Sequence, residues 1–370
     1  MNSTANILAL VAYLVAVIAL LVFCYVKPLY NWDMLAYAAV IVDDGEVSHD
    51  ALQAEVYHMA AEQVPPEAYS MLVDTTHQLR KEVLRNPERF YQFLSYFRVK
   101  PLYTGMCSVF YSLGVPLMKA TVLPSIIGIF VLSLLLVFRF SRTFPLGVAS
   151  ILGLSVMCVP PVIEVARLST PDALSTVVLV GAFLVYLSRA KVFWFMLLIA
   201  LAVLARLDNV IPATVLLLSL IVRDNREREG KGFTVATIAL LGILFAYTWI
   251  ALRNAEYGNG FEMFYGGLVR KWNPVILVGD ALQGIKTLQT SYVAIAGICF
   301  VVLFYRNGFR LATMERSQLL FVVTTIAFLA RYILFPDLTT RFFLSYYILC
   351  WIFIVEGIVG SHQRARLEKT

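Results

Sequence analysis

Residues 8–26, LALVAYLVAVIALLVFCYV, run directly into Lys27-Pro28-Leu29-Tyr30-Asn31-Trp32-Asp33. The first part is an unbroken apolar run of bilayer-spanning length, and the second sets an aromatic anchor and a carboxylate at its end. The run has neither a basic leader nor a small-residue cleavage signal, so a retained anchor is expected instead of a signal peptide. A charged, helix-prone segment then reaches Pro101, and nine more apolar runs follow. They are Thr121 to Phe138, Pro145 to Ala166, Asp172 to Leu187, Val192 to Ala205, Val210 to Val222, Phe233 to Ala251, Tyr292 to Phe304, Leu319 to Leu334 and Phe342 to Val359. The pattern predicts an all-α polytopic membrane protein, one membrane domain over 1–370, with about ten transmembrane helices and amphipathic juxtamembrane helices.

Composition agrees. Of 370 residues, 60% are hydrophobic and 15% charged, and the mean hydropathy is +0.77, which argues against a soluble enzyme with a large core. The formal charge of +6 sits in short linkers between apolar runs, a topology signal that leaves nucleic acid a poor partner. The five cysteines are scattered singly, which suggests neither a disulfide framework nor a metal cluster, and four histidines without Cys/His spacing give zinc little support.

Leu102 to Met118 is the ambiguous run. Without it, ten spans put both termini on one side, together with Arg139/Arg142, Arg189/Lys191, Arg223/Arg226/Arg228/Lys231, Arg306/Arg310/Arg316 and Arg364/Arg366/Lys369. Those are 14 basic residues, against Lys119, Arg167, Arg206, Arg331 and Arg341 opposite, so the termini are expected in the cytoplasm. Leu102 to Met118 then reads as an interfacial helix within a first extracytoplasmic loop over 29–120, the alternative being an eleventh span. In that loop Ser48 to Glu62 and Pro66 to Leu84 look helical, and Asn86-Pro87 marks a break before Glu88 to Tyr96. A second extracytoplasmic loop, 252–290, joins Gly-rich turns to Phe261, Phe264, Tyr265 and Trp272, a pattern that suits a closing loop or a static connector.

Charged residues at the ends of apolar runs are the candidate site. Asp33 follows an aromatic anchor and precedes Tyr37 by one helical turn, so both reach one face of a continued helix. Such a carboxylate can activate a hydroxyl, assist a cation beside a phosphate, or simply cap an interfacial helix. Asp172 opens a helix after Thr170-Pro171, a place the helix dipole favours with or without a function. Arg167, Arg206 and Asp208 recur at neighbouring junctions on the same side, and Glu164 within an apolar run implies a partner. Arg98, Lys100, Arg331 and Arg341 lie at ends of different segments, where they can converge on a phosphate or snorkel singly. Asp43, Asp44 and Glu46 read as a divalent-cation site or, more simply, a solvated turn.

This arrangement resembles the GT-C superfamily of polytopic glycosyltransferases, the bacterial ArnT-like and mannosyltransferase-like families among them. The resemblance rests on Asn31-Trp32-Asp33 with Tyr37, Arg98-Val99-Lys100-Pro101-Leu102-Tyr103, Arg167-Leu168-Ser169-Thr170-Pro171-Asp172, Ala205-Arg206-Leu207-Asp208-Asn209 and the tract Arg331 to Phe342. It implies transfer of a sugar from a polyprenyl-phosphate donor to a glycan or glycolipid acceptor, outside a bacterial cytoplasmic membrane. Asp33 and Asp172 match acidic positions of the family and are the catalytic candidates, Asp172 as a group that binds or orients substrate; Tyr37, Arg98, Lys100, Tyr103, Arg167, Arg206, Asp208, Arg331 and Arg341 are the substrate-binding candidates. No cofactor is demanded, a divalent cation being the one candidate. The compact length and lack of a soluble C-terminal domain favour transfer of one sugar over oligosaccharyl transfer to protein. Competing expectations are a polysaccharide polymerase or ligase, a lipid or glycan transporter, and a non-catalytic membrane subunit.

Overall fold

A computed structural model describes residues 3–74, 76, 78–188, 192–227, 232–255, 278–279, 297–299, 301, 316–334 and 340–356. The anchor forms α1 (Ser3–Val26), and the chain re-enters helix at once in α2 (Asp33–Val42). Four short helices follow, α3 (His49–Gln63), α4 (Pro66–Leu72), α5 (Gln78–Arg85) and α6 (Pro87–Phe93), then α7 (Ser95–Arg98) and α8 (Pro101–Ser112). Local chemistry sets these boundaries. Ser48 caps α3 by accepting from the Ala51 N–H at 3.3 Å, and Asn86 caps α6 by accepting from the Arg89 N–H at 3.1 Å, with Pro87 in the first turn. The expected helix from Pro66 to Leu84 is two helices, because Asp74 leaves the helical path and folds its carboxylate onto Thr76.

The bundle proper is α9 (Leu117–Ser141), α10 (Leu146–Met157), α11 (Pro160–Arg167), α12 (Asp172–Ser188), α13 (Val192–Ala205), α14 (Val210–Glu227), α15 (Gly232–Asn254), α16 (Arg316–Leu334) and α17 (Leu344–Ile354). Among the described residues α1, α9 and α15 are long and apolar enough to cross a membrane, and the bent pair α10–α11 makes a fourth such unit. The described residues thus form a mostly helical bundle whose long apolar helices suit a multi-pass membrane protein.

Exposed apolar stripes fit that setting. Ile7, Val11, Val15, Ile18 and Val22 line one face of α1, while Leu241, Phe245, Trp249 and Leu252 line one face of α15, all outside the core. In water such stripes would be liabilities; against lipid they cost nothing. Inside, α9 and α12 run side by side in the same direction: a Cβ on Gly128 would lie 2.9 Å from the Ala173 carbonyl carbon, and one on Gly181 would meet Leu198 at 3.6 Å and Leu135 at 4.0 Å. Tyr13 of α1 donates to the buried Ser133 carbonyl at 2.8 Å, fastening the anchor to α9.

Two of these expectations are revised. The run from Pro145 to Ala166 is broken at Cys158-Val159-Pro160 and bent by 65°, since Pro160 and Pro161 begin a new helix. Glu164 therefore lies exposed on the short α11 instead of inside a span, and needs no partner there. Leu102 to Met118 contains a helix of 12 residues, roughly 18 Å long, well short of the ~30 Å hydrocarbon core. The second loop, with Phe261, Phe264, Tyr265 and Trp272, lies outside the described residues beyond the end of α15, as do Pro336 and Asp337.

Candidate functional site

Where α1 ends, the chain is tied by backbone to the junction of α11 and α12. The Leu29 N–H donates to the Arg167 carbonyl at 2.8 Å in a parallel bridge between Leu29 and Leu168, and the Ser169 N–H donates to Asn31 Oδ1 at 3.3 Å. Ser125 Oγ of α9 reaches the Leu168 and Thr170 carbonyls, each at 2.8 Å. These ties hold the N-termini of α2 and α12 beside each other, so Asp33 and Asp172, each the first residue of its helix, belong to one site.

Three guanidinium groups join three carboxylates there. Arg341 donates from Nη1 to Asp33 Oδ2 at 3.1 Å, and its Nε lies 3.7 Å from Asp172 Oδ2. Arg206 pairs with Asp172 Oδ1 and grips Asp208 with two bonds of 2.9 Å. Arg331 closes the series, reaching Asp208 Oδ2 at 2.7 and 2.8 Å and the Phe342 carbonyl at 3.1 Å. Cation and anion alternate from Asp33 to Arg331, which lets so many charges pack without like-charge contact. The Phe342 ring lies among all three guanidiniums, at 4.6 Å from Arg206, 5.0 Å from Arg331 and 5.1 Å from Arg341. Burial pushes the Asp208 carboxyl up, but Arg206 and Arg331 outweigh it and hold it far below the usual carboxylate range.

Lys100 adds the extra positive charge. As the residue before Pro101 it stands outside the helical region at the head of α8, with φ −122° and ψ 61°, and its Nζ donates to the Tyr37 hydroxyl at 2.9 Å. Burial foremost, then the Arg206 charge, lowers the Lys100 amine from 10.5 to about 7, against the opposing pull of Asp33. Tyr37 is buried and its phenol is pushed well above the ordinary value by burial and next by the Asp33 charge.

Of the residues singled out in the sequence, Asp33, Tyr37, Lys100, Asp172, Arg206, Asp208, Arg331 and Arg341 are thus brought together. Asp33 keeps 27% of its side chain exposed while Asp172 keeps 2%, so only the former is open to a ligand. Tyr103 does not face the opening. It is fully buried, donates to the Thr121 carbonyl and supports the Tyr37 ring edge-on at 4.6 Å. Arg167 turns away, donating to the Lys27 carbonyl at 2.6 Å with its guanidinium 5.4 Å from the Phe23 ring. Arg98 faces Asp43 at 4.0 Å and lines a second cavity. Asp43 and Asp44 accept from the Gly45 and Glu46 N–H groups, the turn geometry, and no group of three metal-ligating side chains occurs among the described residues.

Sequence reasoning missed Phe342, although a phenylalanine directly after Arg341 in an Arg-Phe-Phe run was the signal. It also missed the unmet hydrogen-bonding capacity at this end of the bundle: Asp172 Oδ2, Arg341 Nε, Thr170 Oγ1 and Asn31 Nδ2 are buried without a hydrogen-bond partner. Atoms in that condition cost free energy until something binds them. The cluster can therefore offer an anion Lys100 and Arg341, and offer a hydroxyl the Asp33 carboxylate. Compared with protein-family models, with curated proteins and with solved structures, the chain matches none.

Proposed function

We propose that the chain is a membrane glycosyltransferase of GT-C type, moving one sugar from a polyprenyl-phosphate donor to a hydroxyl or amine of a lipid-linked glycan, lipopolysaccharide or envelope polysaccharide outside the cytoplasmic membrane. The observation that carries this reading is the exposed Asp33 carboxylate set against Arg341, with the Lys100 amine nearby on Tyr37.

The acceptor oxygen attacks the anomeric carbon while Asp33 takes its proton. The bond from that carbon to the phosphate oxygen breaks, its electron pair stays on the phosphate, and polyprenyl phosphate leaves with inversion at the sugar. Lys100 and Arg341 stabilise the charge gathering on the leaving phosphate, a contribution that preorganised cations make best in a site closed to water. Asp172, buried between Arg206 and Arg341, orients those guanidiniums and does not touch the reacting atoms. Arg206, Asp208 and Arg331 keep Arg341 in place. The donor's apolar chain fits a cavity of about 520 Å³ between α9, α12 and α13, lined by Ile127, Leu135, Val178 and Leu184 and, among others, by Leu174, two residues past Asp172.

The test is purified protein mixed with polyprenyl-phosphate sugars and membrane glycan acceptors, read by mass spectrometry. Parent protein should transfer one sugar, and Asp33→Asn should lose at least about 100-fold, the usual weight of a general base. Undiminished transfer by Asp33→Asn would remove Asp33 from the reaction. Substrate flux across proteoliposomes without any covalent product would replace the reading with transport.

A further inference from the structure

The second cavity, about 420 Å³, lies among the C-terminal turn of α2, the start of α8 and the last turns of α15. Its volume falls within the ~300–1,000 Å³ common to small-molecule sites. Arg98, Arg253, Asp43, Thr104 and Ser108 supply its polar lining, with Trp249 and Ile250 beside them. From these groups we infer that this cavity binds an anionic polyol, a phosphate-bearing sugar or glycerol headgroup, as a site separate from the Asp33 cluster.

Charge gives the anionic half. Two guanidiniums, one of them 4.0 Å from Asp43, stand against that one carboxylate, so the lining is net cationic. Arg253 is held with its guanidinium 5.4 Å from the Trp249 ring, which orients it without neutralising it. Guanidinium forks suit a phosphate's paired oxygens better than any other side chain.

Hydroxyl chemistry gives the polyol half. Thr104 donates its hydroxyl proton to the Lys100 carbonyl at 3.3 Å, and Ser108 donates to the Thr104 carbonyl at 3.0 Å. With their protons spent on the helix, both oxygens present lone pairs, and an acceptor-rich wall asks for hydroxyl donors. Asn254 gives an independent sign. It is 2% exposed, neither its amide nitrogen nor its oxygen has a hydrogen-bond partner, and it lies one turn from Ile250, which lines the cavity. A bare phosphate would satisfy the arginines alone; a sugar phosphate or phosphoglycerol also satisfies the acceptors. The site stands whether or not the chain transfers sugars.

The experiment uses full-length protein in phosphatidylcholine nanodiscs, titrated with glucose 6-phosphate, glucose and inorganic phosphate while Trp249 emission and binding heat are followed. Glucose 6-phosphate should bind at least about tenfold tighter than either comparator, and Arg253→Gln should weaken it about tenfold. Thr104→Val should weaken it with little change for inorganic phosphate, and Trp249→Phe should abolish the emission change. Arg98→Gln takes the cation away from Asp43 and so puts folding at risk; Arg253 is exposed, so its variant keeps the test intact. A parallel arm replaces part of the lipid with phosphatidylglycerol or phosphatidylserine. Competition by phosphatidylglycerol alone makes a lipid headgroup the source of the ligand; no competition makes it a soluble or glycan-borne phosphate. Equal affinity for inorganic phosphate, an emission change that survives Trp249→Phe, full affinity in Arg253→Gln, or no saturable binding of either glucose 6-phosphate or phosphatidylglycerol would each overturn the inference.

Discussion

Lys100 carries two opposite pH dependences that can be read separately. Its amine falls from 10.5 to about 7 on folding, so between those values the unfolded chain holds a proton that the folded chain has released. Stability from this group therefore rises as pH climbs from about 7 toward 10.5. Phosphate binding runs the other way, because only the ammonium attracts an anion. The melting temperature of the purified protein should climb across that window while donor binding falls above about pH 7, and Lys100→Arg, which keeps its proton, should flatten both trends. A parallel fall of both, or no change on substitution, would contradict the assignment. Asp208 makes a second prediction at this scale. It is gripped by Arg206 and Arg331 together, so Asp208→Asn removes the carboxylate both share, leaving Arg206 to Asp172 and Arg331 to the Phe342 carbonyl, and should cost about 3 kcal/mol in chemical denaturation. A loss below ~1 kcal/mol would mean that solvent screens the cluster as it does a surface pair.

Among the helices, α9 and α12 touch most closely where Gly128 meets Ala173, and that contact is checkable. The Cβ of Gly128→Ala would sit 2.9 Å from the Ala173 carbonyl carbon and 3.0 Å from the Leu174 nitrogen, backbone atoms that cannot swing aside. The substitution should destabilise by about 1–3 kcal/mol in thermal unfolding, whereas Gly181→Ala, facing only a Leu198 side chain at 3.6 Å, should be neutral or stabilising. Equal effects would refute the close approach. Elements of this kind were legible to different degrees. α12 and α13 begin and end almost where hydropathy puts them, since a polar junction flanks each apolar run. The bend at Pro160 was not, because Pro145 to Ala166 is apolar but for Glu164 and hydropathy is blind to direction. The helix α2 was legible in part: Lys27-Pro28 and Asn31 interrupt the anchor and Asp33 with Tyr37 suggests a helical turn, but nothing there says that Met34 to Ala39 are buried.

For the molecule as a whole, the two ends of the bundle differ in kind. One gathers Asp33, Asp172, Arg206 and Arg331; at the other, Arg139 near the end of α9 and Glu356 past α17 close on each other with two hydrogen bonds. The expected topology puts the first end outside. In a background lacking the exposed Cys158, His58→Cys should react with a membrane-impermeant maleimide in intact cells, and Arg142→Cys only after permeabilisation. The reverse pattern would invert the topology. Position 60, in the same helix, would be a poor reporter because Ala60 is buried. Much of the candidate site was legible because a charge at the edge of an apolar run has few places to go: Asp33, Lys100, Asp172, Arg206, Arg331 and Arg341 all stand at such edges. Which carboxylate takes which arginine was not, since Asp33 and Arg341 lie 308 positions apart and only the folded bundle introduces them. The single bridge between Leu29 and Leu168 makes that introduction dependable. It acts as a locating pin: few side chains of α1 are buried, and its exit is indexed to α12 by this main-chain bridge together with the Asn31 and Arg167 side chains. The outward-facing side chains of the anchor, Ile7, Val11, Val15, Ile18 and Val22, are thereby free to vary with the thickness of a surrounding bilayer, while the gap between the two carboxylates stays gauged by a main-chain length and by the buried Tyr13, Val17, Leu21 and Cys24.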